Sequence, residues 1–273
     1  MLNYNLIKNF IYNRFMKKLF VANWKMNPLI IKEAKRIVKL VLYRFFLNNT
    51  KLKIIVCPPF VWLKTLIDFS KNKINFGAQN TFYEDQGAFT GEISPKMLKN
   101  IGVKYVILGH SERRKYLNET DNLIALKINS VLKNRLIPIL CIGEDYNVRR
   151  KGINVAKKFI FDQIKKDFKY IILNKNFLNK EIIIAYEPIW AISTSEFAVP
   201  DDPESAEEII TFIKEKVKNI GFKAVKVLYG GSVNSENILN FLSRKEIDGV
   251  LVGGASIKIS ELKKIIKTLK EYF

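Results

Sequence analysis

Along the chain, short apolar runs alternate with longer stretches in which apolar residues recur at helical spacing. The runs are Leu19–Asn23, Lys53–Cys57, Ile74–Gln79, Tyr105–Gly109, Ile137–Ile142, Ile182–Tyr186, Val225–Tyr229 and Gly249–Val252. Most are rich in Ile and Val and show no polar alternation, the pattern of strands buried on both faces of a parallel sheet. Between them, Ala34, Ile37, Val38, Val41, Leu42 and Phe45 mark one face of a helix. Ile209, Ile210, Ile213 and Val217 mark another, preceded by Asp202-Pro203, an N-cap followed by proline at the first helical position. Eight strands separated by helix-length segments predict an α/β fold, a closed (β/α)8 barrel in a single domain. An open doubly wound sheet fits the same periodicity and stays open at this point.

The length, 273 residues, suits one barrel of roughly 250 residues. No linker or low-complexity segment divides the chain. Residues 1–17 contain no acid and carry Lys8, Arg14 and Lys17, so they read as an extension outside the fold, with residues 18–273 as the barrel domain. A basic, acid-poor segment also fits a targeting peptide, but Met16-Lys17-Lys18-Leu19-Phe20 resembles an ordinary start. No apolar run reaches the roughly 20 residues that span a bilayer, so no membrane partner is expected.

Composition adds three constraints. The two cysteines, Cys57 and Cys141, both lie within apolar runs, as buried free thiols of a reducing, cytoplasmic compartment would. The single histidine excludes a multi-histidine metal site. The formal charge of +20 suits a polyanion partner or a lysine-rich composition throughout. The lysines are scattered rather than massed, which favours the second reading and no nucleic-acid partner. In either case a positive field helps to collect a small phosphorylated substrate.

In a barrel, chemistry gathers where strands end. The first run is followed by Lys25, the fourth by His110 and the sixth by Glu187, while Gly230-Gly231-Ser232 and Gly253-Gly254 follow the last two. A carboxylate can abstract a proton and a histidine can exchange protons with oxygens. A lysine can steady negative charge, and bare backbone N–H groups in glycine-rich turns suit a phosphate. Together these residues fit proton abstraction beside the carbonyl of a phosphorylated small molecule. Each has a plain structural alternative: a satisfied histidine, a strand-end carboxylate, a solvated lysine, a tight turn.

The ordered motifs also resemble those of the triosephosphate isomerase family. They are Val21-Ala22-Asn23-Trp24-Lys25-Met26-Asn27, Gly77-Ala78-Gln79-Asn80, Gly87-Ala88-Phe89-Thr90-Gly91-Glu92, Leu108-Gly109-His110-Ser111-Glu112-Arg113-Arg114, Ala185-Tyr186-Glu187-Pro188-Ile189-Trp190-Ala191-Ile192, Tyr229-Gly230-Gly231-Ser232-Val233 and Gly249-Val250-Leu251-Val252-Gly253-Gly254-Ala255-Ser256. The resemblance runs from about Lys18 to the C-terminus.

It implies a TIM barrel that interconverts dihydroxyacetone phosphate and D-glyceraldehyde 3-phosphate through an enediolate, a step of glycolysis and gluconeogenesis, without cofactor or metal. By resemblance Glu187 is the base, and a neutral His110 moves a proton between the two oxygens. Asn23 and Lys25 hold the substrate and its developing charge, Glu112 organises Lys25 or His110, and Ser111 opens the following helix. Ser193, Ser232, Gly253 and Gly254 donate to the phosphate. Glu187-Pro188-Ile189-Trp190 begins a mobile lid received by Tyr229 and Ser232. The third loop, Gln86–Glu92, implies a homodimer with Thr90 beside the partner's Asn23 region. The lid tip departs from the family: Ser193-Thr194-Ser195 stands where glycine-threonine-glycine is usual, and Glu196-Phe197-Ala198 follows where lysine-threonine-alanine is common.

Overall fold

The computed structural model describes residues 17–45, 51–192, 199 and 201–273. Among them, eight parallel strands pair in sequence order and close on themselves, β1 against β8. They are β1 (Lys18–Asn23), β2 (Leu52–Cys57), β3 (Asn75–Ala78), β4 (Tyr105–Leu108), β5 (Ile137–Ile142), β6 (Glu181–Tyr186), β7 (Ala224–Tyr229) and β8 (Gly249–Val252). The closed order settles the choice between barrel and open sheet.

Helices fill the return segments: α1 (Ile31–Phe45), α2 (Phe60–Ser70), α3 (Pro95–Asn100), α4 (Ser111–Tyr116), α5 (Asp121–Lys133), α6 (Tyr146–Arg149), α7 (Ile153–Asp167), α8 (Lys169–Leu173), α9 (Pro203–Ile220), α10 (Ile238–Leu242) and α11 (Ile259–Tyr272). None of the described helices is long and apolar enough to cross a membrane.

The near-continuous apolar runs follow from two cores, one on each face of the sheet. Leu19 and Val21 point into the barrel, where they pack with Ile55, Cys57, Tyr105, Ile107, Ile139 and Cys141. Phe20 and Ala22, the alternate residues, face outward into the larger core beneath the helices. Both cysteines are free and buried inside the barrel. The helix faces emerge as read: Ala34, Ile37, Val38 and Val41 of α1 are buried, Leu42 is partly buried, and the side chain of Phe45 lies outside the described residues. On α9, Ile209, Ile210, Ile213 and Val217 are fully buried.

Strand limits shift by a residue or two from the apolar runs. β1, β2, β6 and β7 begin earlier, at Lys18, Leu52, Glu181 and Ala224, because ladder hydrogen bonds need only backbone and extend past the last apolar side chain. β3 is shorter than its run: Ile74 and Gln79 lie outside it. β4 stops at Leu108 because Gly109 turns the chain with φ 68°, a conformation that glycine adopts without a steric penalty.

Candidate active site

The C-terminal ends of the parallel strands form one rim of the barrel, and the strand-end residues read from the sequence meet there. At the end of β1, Asn23 is 4 % exposed. Its side-chain oxygen accepts from the Lys25 backbone N–H at 3.0 Å. Lys25 has φ 52°, the left-handed region that costs a side chain roughly 1–2 kcal/mol. Gln79, just past β3, restrains this turn from the other side. Its amide nitrogen donates to the carbonyls of Lys25 and Cys57, both at 2.8 Å. The Lys25 ammonium is then aimed across the rim and held by Glu112, Nζ to Oε1 2.6 Å.

His110 follows the turn at Gly109 and caps α4. Its Nδ1 accepts from the Glu112 backbone N–H at 3.2 Å, so the cap is the imidazole rather than the Ser111 hydroxyl. An Nδ1 that accepts assigns the proton of a neutral ring to Nε2. That Nε2 lies 3.4 Å from Oε1 of Glu187. The other carboxylate oxygen of Glu187 accepts from the Ser111 backbone N–H at 3.2 Å. The first turn of α4 therefore touches both residues, holding the ring through one N–H and the carboxylate through the next. The Glu187 carboxylate is 2 % exposed, and its backbone is pinned where Glu187 N donates to Ile142 O at 2.7 Å. Gly143 leaves room for this crossing: a Cβ there would stand 1.9 Å from the Glu187 carbonyl oxygen. Cys141 lies behind the carboxylate, and burial, reinforced by the neighbouring Glu187 charge, pushes its thiol pKa well up.

Beside this trio opens a pocket lined by Lys25, His110, Ile192, Gly230, Gly231, Ser232, Val233, Leu251, Gly253, Gly254 and Ala255. Gly253 and Gly254 enter it as backbone at the start of a 3-10 turn, Gly254–Ser256. Ser232 also lines it, with its backbone N–H donating to the Ala191 carbonyl at 3.1 Å. Tyr229 is 1 % exposed and stacks on Phe241. Trp190 sits in the turn Ile189–Ala191 and donates from its indole to buried Glu144 at 3.1 Å, where the Tyr186 hydroxyl also donates at 3.0 Å. Burial raises the Glu144 carboxyl pKa, opposed by these donors and by Arg149. Ser193, and with it the lid tip through Ala198, lies outside the described residues. Thr90 is exposed, away from the pocket-lining residues, on the loop after β3.

Three residues near the site escaped the sequence reading as contributors. Gln79 and Gly143 act through main-chain geometry, which composition and spacing do not display. Glu144 stands two residues past the apolar end of β5, and a carboxylate so close to a buried strand end is the signal that marks it.

The family model for triosephosphate isomerase matches residues 18–269. A triosephosphate isomerase of Clostridium botulinum (strain Loch Maree / Type A3) is 43 % identical over 253 residues, spanning 91 % of this chain and 98 % of its own length. One from Finegoldia magna is 42 % identical over 252 residues, covering 92 % and 98 %. A third, from Dictyoglomus turgidum, is 41 % identical over 263 residues, covering 92 % and 99 %. With the closed barrel and the rim of Lys25, His110 and Glu187 already in place, the chain belongs to the triosephosphate isomerase family.

Proposed function

We propose that the chain interconverts dihydroxyacetone phosphate and D-glyceraldehyde 3-phosphate, in glycolysis and gluconeogenesis, by moving protons through an enediolate. The observation that carries this reading is an imidazole and an ammonium lining one small cavity with a glycine-rich wall, with the buried Glu187 carboxylate 3.4 Å from the imidazole Nε2. Glu187 takes the proton from the carbon beside the carbonyl and returns it to the neighbouring carbon. His110 donates Nε2–H to the carbonyl oxygen and recovers a proton from the adjacent hydroxyl. Lys25, held by Glu112, offsets the charge that develops on oxygen, and Asn23 shapes the turn from which Lys25 reaches out.

The phosphate is held by backbone N–H groups of Gly253, Gly254 and Ser232, joined by Ser193. Ser232 reaches it once its N–H leaves the Ala191 carbonyl. Trp190 and Tyr229 flank the segment that covers the substrate and excludes water.

The working unit is a homodimer in the cytoplasm, with Thr90 of one copy beside the Asn23 region of the other. Exposed apolar side chains following the first four strands support it: Met26 is 86 % exposed, Leu29 82 %, Val61 72 % and Leu117 58 %. So do Phe82 and Phe89, whose rings meet at 4.6 Å on the third loop. Residues 1–17 form an extension outside the barrel domain, in keeping with the family match and β1 both starting at residue 18.

A coupled assay of triose phosphate interconversion in both directions tests the proposal, with tetrose and pentose phosphates as comparison. Turnover of the trioses is the expected result. No turnover, or preference for a longer sugar phosphate, would overturn it.

A further inference from the structure

Arg114 has no part in the reaction as proposed, yet four groups from three other elements and one turn converge around it. Its Nε donates to the Gly109 carbonyl at 2.8 Å. Nη1 donates to the Asp121 carboxylate at the start of α5. Nη2 donates to Asp167, the last residue of α7, at 2.8 Å, and reaches the Cys141 carbonyl on β5 at 3.5 Å.

The helix that carries Arg114, α4, is six residues long and buries none of its side chains. A helix this short is marginal by itself, and no apolar face anchors it. The guanidinium fork ties the C-terminal half of α4 to the barrel, alongside the Glu112–Lys25 pair and Arg113, whose Nε donates to Glu119 at 2.7 Å. Its position also matters for Gly109, where a Cβ would stand 2.9 Å from Nη2. Arg114 and Glu187 both line one small cavity, together with Ser111, Cys141 and Gly143.

The first turn of α4 supplies the Ser111 N–H to Glu187 and the Glu112 N–H to His110. Both proton-transfer groups therefore touch a helix whose placement Arg114 helps to fix. We propose that Arg114, braced by buried Asp167 and by Asp121, is a positioning residue for the Glu187–His110 pair. This rests on the isomerase reading above. Arg114 is absent from the lining of the pocket with the glycine-rich wall, so phosphate binding is spared. Misplacement of a catalytic pair by about an ångström can cost on the order of a hundredfold in rate.

The test is Arg114→Lys, which keeps the charge and loses the fork, compared with wild type in steady-state kinetics and in binding of two probes. One probe is a planar hydroxamate analogue of the enediolate, which engages His110 and Glu187. The other is inorganic phosphate, which engages only the phosphate wall. We expect kcat to fall about ten- to a hundredfold and hydroxamate affinity to fall with it, while KM and phosphate affinity stay within about threefold. Unchanged kcat and hydroxamate affinity would overturn the proposal, as would equal losses in both probes, the mark of general loosening. Asp167→Asn, measured above about pH 8 where the wild-type carboxyl is ionised, gives the same split at about three- to tenfold and decides the matter should Arg114→Lys fail to fold; wild-type kinetics there would also overturn it. An inactive wild type ends the isomerase reading, whereas an active wild type with an unimpaired Arg114→Lys ends this inference alone.

Discussion

In the proposed reaction Glu187 carries the heaviest chemical demand of any single side chain, and its isosteric amide isolates that demand. Glu187→Gln keeps the shape and the Ser111 contact but cannot accept a proton. We expect kcat to drop roughly 10² to 10⁴-fold, the scale for removing a positioned general base, with KM little changed. A near-normal rate by coupled assay would require another base. A second prediction concerns Asp167. Burial pushes its carboxyl pKa up from an ordinary 3.8 to about 7, against the pull of Arg114. Between those values the folded chain holds this proton and the unfolded chain releases it. The associated stability is fully present below about pH 3.8 and is lost as pH rises through about 7. Asp167→Asn should flatten that part of the pH dependence of urea unfolding, and an unchanged slope would contradict the assignment. Legibility differed sharply among residues. Lys25, His110 and Glu187 could be read because their chemistry is in the side chain and their place is at a strand end. Gln79 could not, because its work is done on the carbonyls of Lys25 and Cys57, and a carbonyl partner leaves no trace in residue type.

Among the elements, the helices with a continuous apolar face were the most legible, and the short ones the least. α9 shows why. Its buried Ile209, Ile210, Ile213 and Val217 repeat at helical spacing, and its start is marked twice, by Pro203 at the first position and by Asp202 accepting from Ser205 N at 3.1 Å. Asp202→Ala should cost about 1 kcal/mol of unfolding free energy, the usual value of such a cap. Urea denaturation monitored by circular dichroism would measure it, and a change below a few tenths would show that the cap is idle. α4 offered no such repeat, since its residues Ser111–Tyr116 bury nothing. Only the capping residue could be guessed, and the guess fell on Ser111 because serine commonly serves as an N-cap. The imidazole of His110 takes that place because Gly109 turns the chain one residue earlier than the apolar run implied. The strands were legible from their Ile and Val content, while their ends depended on backbone pairing and on the turns at Gly109 and Gln79.

For the whole molecule, the proposed dimer makes a direct demand on surface chemistry. Phe89 is 41 % exposed on a loop whose neighbours Gly87 to Glu92 are all exposed. Light scattering should give twice the chain mass at micromolar concentration. Phe89→Glu should weaken association, because it sets a charge in an apolar contact, and should lower activity with it. An active wild-type monomer would contradict the proposal. The barrel order was legible from the regular alternation of elements, but closure was not, since the β1–β8 pairing joins runs more than two hundred residues apart and depends on the twist of the whole sheet. The sealed interior has a further consequence. Cys57 stands on β2 and Cys141 on β5, both facing the barrel axis, and the chain has no other cysteine. Burial holds both thiols protonated, so a thiol reagent reaches them only when the staves separate. The protein thus contains its own clock for barrel breathing: labelling rates at two points on the stave ring report how often each part opens, with no probe added to the chain.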